Sequence, residues 1–169
     1  MKFKYNTKRI KQINNAEITK DLKHIILGIY IIESMYRSVP LRIVEYIVLF
    51  FNICLNYIFK IPIKNYTLGP FQIGISSILI FNGYKEFEIH QKYIRKLNFE
   101  QLKMVLHSIE FENNLKICFW KVKDMYVQVL TNTSEYYSIV GNVGELYNGS
   151  IRYGFLLQSI VEKICLNNK

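Results

Sequence analysis

Ile25-Ile-Leu-Gly-Ile-Tyr-Ile-Ile-Glu-Ser-Met-Tyr36 is an apolar stretch that carries a single acid, Glu33. Leu22, Ile26, Ile29, Glu33 and Tyr36 recur at helical spacing, so the stretch reads as a helix with Glu33 on the stripe of its hydrophobic neighbours. An ionised carboxylate is costly on such a face. Desolvation there favours the protonated acid, which is the state a general acid needs near neutral pH. The plainer alternative is a helix-end ion pair with Arg37 at i+4.

Helical signals continue on both sides. Thr19 is placed to cap a helix from about Lys20 to Arg37, with Asp21 near its positive end. Pro40 suits the first turn of a second helix running to about Phe59. Phe71 to about Phe81 reads as a short helix after the Gly69-Pro70 turn, and Asn82-Gly83 ends it. Asn98-Phe-Glu-Gln101 has the form of a capping box that opens a helix to about Glu110. Further helices are expected from about Asn113 to Leu130, from Glu135 to Leu146 with Ser134 as cap, and from Ile151 to Leu166. Strand alternation is scarce, with Phe87–Tyr93 as one candidate. The expected fold class is mostly α, with a basic segment over 1–18 and one domain over 19–169.

Leu41 to Phe59 is strongly apolar and nearly long enough to cross a bilayer. Arg42, Glu45, Asn52 and Asn56 interrupt it, and the last three recur at intervals of seven and four. They leave a partly polar stripe, as in a packed central helix. A buried core helix is therefore expected, and membrane association through 41–59 is not the favoured reading.

The 169 residues fit one domain with a real core, and half of them are hydrophobic, which excludes extensive disorder. Lys and Arg outnumber Asp and Glu 22 to 13, for a formal charge of +9. That points to an anionic partner: nucleic acid, an acidic lipid surface or an anionic wall polymer. No helix-turn-helix, zinc finger or RNA-binding motif is legible, so nucleic acid is not the expected partner. Cys54, Cys118 and Cys165 lie far apart in apolar patterns and read as buried free thiols. His24, His90 and His107 have no neighbours at metal-ligand spacing, so neither metal nor cofactor is expected. Met1 to Gln12 is basic without a following apolar core and cleavage site, and a cleavable signal peptide is not expected.

Glu33-Ser34, then Gly69-Pro-Phe-Gln-Ile73, then Leu146-Tyr-Asn-Gly149 resembles, in that order, the motifs of the soluble lytic transglycosylases and goose-type lysozymes. That family typically has a Glu-Ser pair ending a helix, a Gly-Leu-Met-Gln-Ile-like motif and an Ala-Tyr-Asn-Ala-Gly-like motif. Between the last two it has an Asn-Ile…Gly…Tyr-Leu helix, to which Asn114-Leu-Lys-Ile-Cys-Phe-Trp-Lys-Val122 is similar in degraded form. The resemblance covers about residues 22 to 166. It departs where Gly-Leu-Met-Gln has become Gly-Pro-Phe-Gln and where a whole apolar helix separates Glu33 from Gln72.

The resemblance implies a lysozyme-like helical fold, peptidoglycan glycan strands as partner, and action at the cell wall, in the periplasm or outside the cell. It also implies that Glu33 protonates the glycosidic oxygen and then acts as base, while the muramic C6 hydroxyl attacks to give a 1,6-anhydro product. Between Glu33 and Gln72 the only other acid is Glu45, which agrees with chemistry that uses one carboxyl group rather than two. Gln72 offers an amide donor and acceptor to a sugar. Tyr147 can stack on a sugar and steer the acid, and Asn148 fixes its turn. Ser34 either bonds near the carboxyl or caps local backbone. The competing readings are an inactive glycan- or anionic-polymer-binding module and a basic helical nucleic-acid binder.

Overall fold

A computed structural model describes residues 6–36, 39–87, 92–133 and 135–167. The expected partner Arg37, the Ser134 cap and residues 88–91 of the candidate strand lie outside them. In chain order the elements are α1 (Thr7–Asn14), α2 (Lys20–Tyr36), α3 (Val39–Phe59), β1 (Ile63–Lys64), β2 (Thr67–Leu68) and β3 (Ile73–Gly74). They continue with α4 (Ile75–Phe81), β4 (Tyr93–Ile94), α5 (Phe99–His107), α6 (Phe111–Leu130), α7 (Tyr136–Asn148) and α8 (Ile151–Asn167). The chain is mostly α.

Local chemistry sets several of these ends. Asn98 Oδ1 accepts from Gln101 N at 2.9 Å, and Gln101 Oε1 accepts from Asn98 N at 2.9 Å, so the capping box opens α5 as read. Gly149, at φ +77°, gives α7 its left-handed end. The helix expected from Phe71 begins only at Ile75. Gly69 (φ +76°) and Gln72 (φ +52°) are both left-handed, which a right-handed helix cannot absorb. The chain instead makes a hairpin there, pairing Thr67 with Gly74 and Leu68 with Ile73. A second two-stranded ladder pairs Ile63 with Ile94.

The chain gathers into two compact units, one of Met1–Met35 with Cys118–Lys169, the other Tyr36–Ile117. The basic segment over 1–18 includes α1, which packs against the rest of its unit. Ile13 of α1 is fully buried, and Lys23 of α2 donates to the Asn14 carbonyl at 2.8 Å.

In the first unit, α7 and α8 meet through glycines. A Cβ on Gly154 would strike the Gly141 carbonyl oxygen, and one on Gly144 would lie 2.9 Å from Gly154 Cα. A Cβ on Gly28 would lie 2.7 Å from Leu157 and 3.1 Å from Val161, which seats α2 on α8.

In the second unit, Asn56 is fully buried. Its Nδ2 donates to the carbonyls of Ile61 (2.8 Å) and Arg95 (2.6 Å), and its Oδ1 accepts from Leu97 N at 2.9 Å. One side chain thus ties α3 to the segments after it.

The expected burial of α3 is overturned. Only 17 % of residues 42–59 are buried. Leu49, Ile53 and Asn56 point inward, while Ile43, Ile47, Phe50, Phe51, Ile58 and Phe59 are exposed. The partly polar stripe lies on the packed side, because Asn56 is needed there to satisfy backbone groups.

Gly154→Ala should lower stability by about 1–3 kcal/mol, since the obstacle is backbone. Gly141→Ala meets the movable end of Gln158 at 3.2 Å and should cost less than about 1 kcal/mol. Urea unfolding of the two variants checks the difference.

Candidate functional site

Helix α2 runs antiparallel to α8. His24 Nδ1 lies 3.3 Å from Cys165 Sγ, Gly28 packs on Leu157 and Val161, and Glu33 reaches Tyr153. This register delivers Glu33 to a buried cluster. Tyr153 Oη donates to Glu33 Oε1 at 3.0 Å, and the two residues are 9 % and 6 % exposed. Tyr147 stacks on Tyr153 with ring centroids 6.3 Å apart. The Tyr147 hydroxyl lies 3.8 Å from Cys118 Sγ. Lys121 Nζ stands 4.5 Å from the centroid of the Tyr147 ring and donates to the Tyr147 carbonyl at 3.4 Å.

Burial governs the protonation of this cluster. It pushes the Cys118 thiol up to about 12, although the Tyr147 hydroxyl and the Lys121 charge pull the other way. Burial also raises Tyr153, helped by the negative charge of Glu33 and by the hydrogen bond donated to it. Tyr147 is raised well above its ordinary value, first by burial and then by Cys118, Tyr153 and Glu33. Lys121 is lowered by burial, with Cys118 opposing. The result is a neutral thiol and neutral phenols around a carboxyl group.

Gln72 belongs to the other unit. Its Nε2 donates to the Gly69 carbonyl at 3.0 Å, and its Oε1 accepts from the Thr67 hydroxyl at 2.7 Å. The amide therefore closes its own hairpin. Asn114, fully buried, grips the same turn. Its Oδ1 accepts from Phe71 N at 2.9 Å, and its Nδ2 donates to the carbonyls of Leu68 (3.2 Å) and Ser108 (3.0 Å). Any Cβ on Gly69 would collide with that amide, so glycine is required there by space as well as by φ.

Thr67, the partner of Gln72, also lines a cleft of about 420 Å³ with Glu45, Tyr46, Lys64, Asn65 and Tyr66. The volume suits a small ligand, and the lining mixes aromatic faces with hydrogen-bonding groups. Asn65 is held rigid there, its amide exchanging bonds with Ser76 Oγ (2.8 Å) and Ser76 N (3.1 Å).

The structure brings Glu33 together with the Tyr147–Tyr153 pair, and the hydroxyl that bonds the Glu33 carboxyl is that of Tyr153, not Tyr147. The ring of Tyr147 is buried beside Tyr153 and Lys121, which leaves little face for the sugar stacking expected of it. Ser34 is half-buried next to Glu33, and Asn148 is exposed as the last residue of α7. Sequence reasoning missed Tyr153, Lys121 and the cleft. Tyr153 stands six residues beyond Tyr147 across the Gly149 turn, and no local pattern links it to an acid 120 residues earlier. Cys118 is free and buried as expected, whereas Cys54 and Cys165 are only half-buried.

No family model matches the chain, and neither a curated protein nor a solved structure matches it.

Asn114→Ala would strand one backbone donor and two acceptors, and should cost about 3 kcal/mol or more in chemical unfolding. Asn114→Asp, which turns a carboxylate toward two carbonyls, should cost at least as much.

The raised Cys118 pKa makes a pH prediction. The folded state holds that proton more tightly than the unfolded state, so its stabilisation is complete below about pH 9 and is lost between about pH 9 and 12. Tyr147 and Tyr153 act in the same direction, and Lys121 in the opposite one. Cys118→Ala should therefore flatten the alkaline fall in thermal stability, as melts from pH 8 to 11 would record.

Proposed function

We propose that the protein is a lytic transglycosylase that cuts the MurNAc-GlcNAc bond of peptidoglycan, with Glu33 as its single acid and base. The observation that carries this reading is the buried Glu33 carboxyl held by the Tyr153 hydroxyl at 3.0 Å. An acid in that setting is oriented by a neutral hydroxyl donor. In the proposed step Glu33 donates its proton to the bridging oxygen as the C1–O bond breaks. The same carboxylate then takes the proton of the muramic C6 hydroxyl, whose oxygen closes onto C1.

The second unit supports the reading through the Gly69–Gln72 turn, which Asn114 and Thr67 hold in one shape. The Asn114 contact ties two motifs of the resemblance together in space. The cleft beside Thr67 offers Tyr46, Tyr66 and Asn65 to a sugar ring. A charge of +9 favours a polymer rich in carboxylates and phosphates. Two observations favour a second reading, in which the fold binds glycan without cutting it. The Gln72 amide is engaged inside its own turn, and Glu33 is 6 % exposed.

Turbidity of purified wall sacculi, followed by mass analysis, separates these readings. The wild type should clear sacculi and release products one water lighter than hydrolysis would give. Glu33→Gln should lower the rate by about a thousandfold while keeping its helical spectrum. Tyr153→Phe should lower kcat by about tenfold to a hundredfold with little change in KM, since it orients the acid and does not hold the sugar. Retained glycan binding without any clearing would leave the binding module standing. Equal clearing by Glu33→Gln would remove the enzyme.

A further inference from the structure

Helix α3 is amphipathic in the wrong sense for water. At about 100° per residue, its exposed positions cover an arc of roughly 200°. That arc holds Ile43, Ile47, Phe50, Phe51, Ile58 and Phe59 among other apolar residues, and no charged side chain. Phe51 is 63 % exposed and Ile58 65 %. The polar residues of the helix, Arg42, Glu45, Asn52 and Asn56, fall on the opposite, packed side. An uninterrupted apolar surface of this extent calls for a partner that is itself apolar.

We infer that α3 lies in the plane of an anionic membrane surface, with its apolar arc in the hydrocarbon and its polar stripe carrying the rest of its unit. The inference rests on α3 and its surroundings alone, and it stands apart from the chemistry proposed for Glu33.

Charge argues for lipid as the occupant. Exposed cations run along the helix on its packed side. Lys64 lines the cleft beside Val44 and Leu49, Lys60 follows the last turn, and Asn56 ties the backbone of Arg95, next to Lys96, to that same end. Basic side chains on the side away from an apolar helix face suit anionic headgroups above acyl chains. A second copy packed arc to arc would leave these cations on the outer sides of the pair, without an anionic partner.

Geometry argues for lying flat over crossing. Twenty-one residues of helix measure about 32 Å, enough for a span by length. Yet protein packs along the middle of α3, from the cleft at Glu45–Leu49 to the Asn56 bonds. A crossing helix would draw Lys64 and the β1–β4 ladder into hydrocarbon, where an open two-stranded edge leaves backbone groups unpaired. A helix in the surface plane keeps all of these in water.

Flotation of the full chain with vesicles tests the inference. Binding to vesicles rich in phosphatidylglycerol should exceed binding to phosphatidylcholine vesicles by at least tenfold, and should weaken with salt. Phe51→Asp with Ile58→Asp should abolish flotation while leaving the melting temperature in place, since both positions are exposed. Exchanging Lys60, Lys64, Arg95 and Lys96 for Gln should weaken it at least tenfold.

Tryptophans placed singly at Ile43, Phe51 and Ile58 should be quenched by brominated lipids at one shallow depth, relative to the parent with its own Trp120. Deep quenching at 51 with shallow ends would show a span and overturn the in-plane placement. Equal binding to both lipids, or no flotation, would overturn the inference, and so would a dimer in sedimentation that Phe51→Asp dissolves without any vesicle binding.

Discussion

A buried polar group must be bonded, and four such groups organise this protein. Asn56 joins α3 to the loop after it and to the segment around Arg95 and Leu97. Asn114 binds the hairpin turn to the start of α6. Gln72 closes that turn from inside, and Glu33 joins α2 to α8 through Tyr153. Apolar packing supplies most of the stabilisation, but it tolerates sliding. Each buried amide or carboxyl has fixed donors and acceptors, and removing one strands its partners. Register is set where these bonds are made.

Glycine does the complementary work of bringing backbones close. The α7–α8 seam at Gly144 and Gly154, with Gly28 against Leu157, leaves no room for a side chain. That closeness places Tyr153 opposite Glu33 and Tyr147 beside Tyr153. The chemistry of the cluster follows from its dryness. Thiol, phenols and lysine all shift toward their neutral forms because charge is poorly solvated there. Helix packing thus determines which proton-bearing groups surround the carboxyl, and in what state.

The sequence signals that were read correctly are local ones. Asn98 and Gln101 form their box, Asn82-Gly83 and Gly149 end their helices, and Cys118 is buried, because each depends on neighbours within a turn or on simple hydrophobicity. The failures have one cause. The helix expected from Phe71 gave way to a hairpin because Asn114, 43 residues from Phe71, holds that turn in a left-handed shape. The hydroxyl that meets Glu33 is that of Tyr153, not Tyr147, because the α2–α8 register is a matter of packing. For α3, periodicity located a polar stripe but could not say which side would face the protein.

By itself, then, the sequence determined a mostly α chain, the approximate span of its helices, a basic surface, and an acid on an apolar helix face. Those follow from residue type and spacing, which act over a few residues. Tertiary structure alone decided that Glu33 meets Tyr153, that the Gln72 amide turns inward, and that α3 presents its apolar arc outward. Each of these is a choice between two faces or two partners of similar local energy. Such choices are settled only when distant segments meet and every buried donor finds an acceptor.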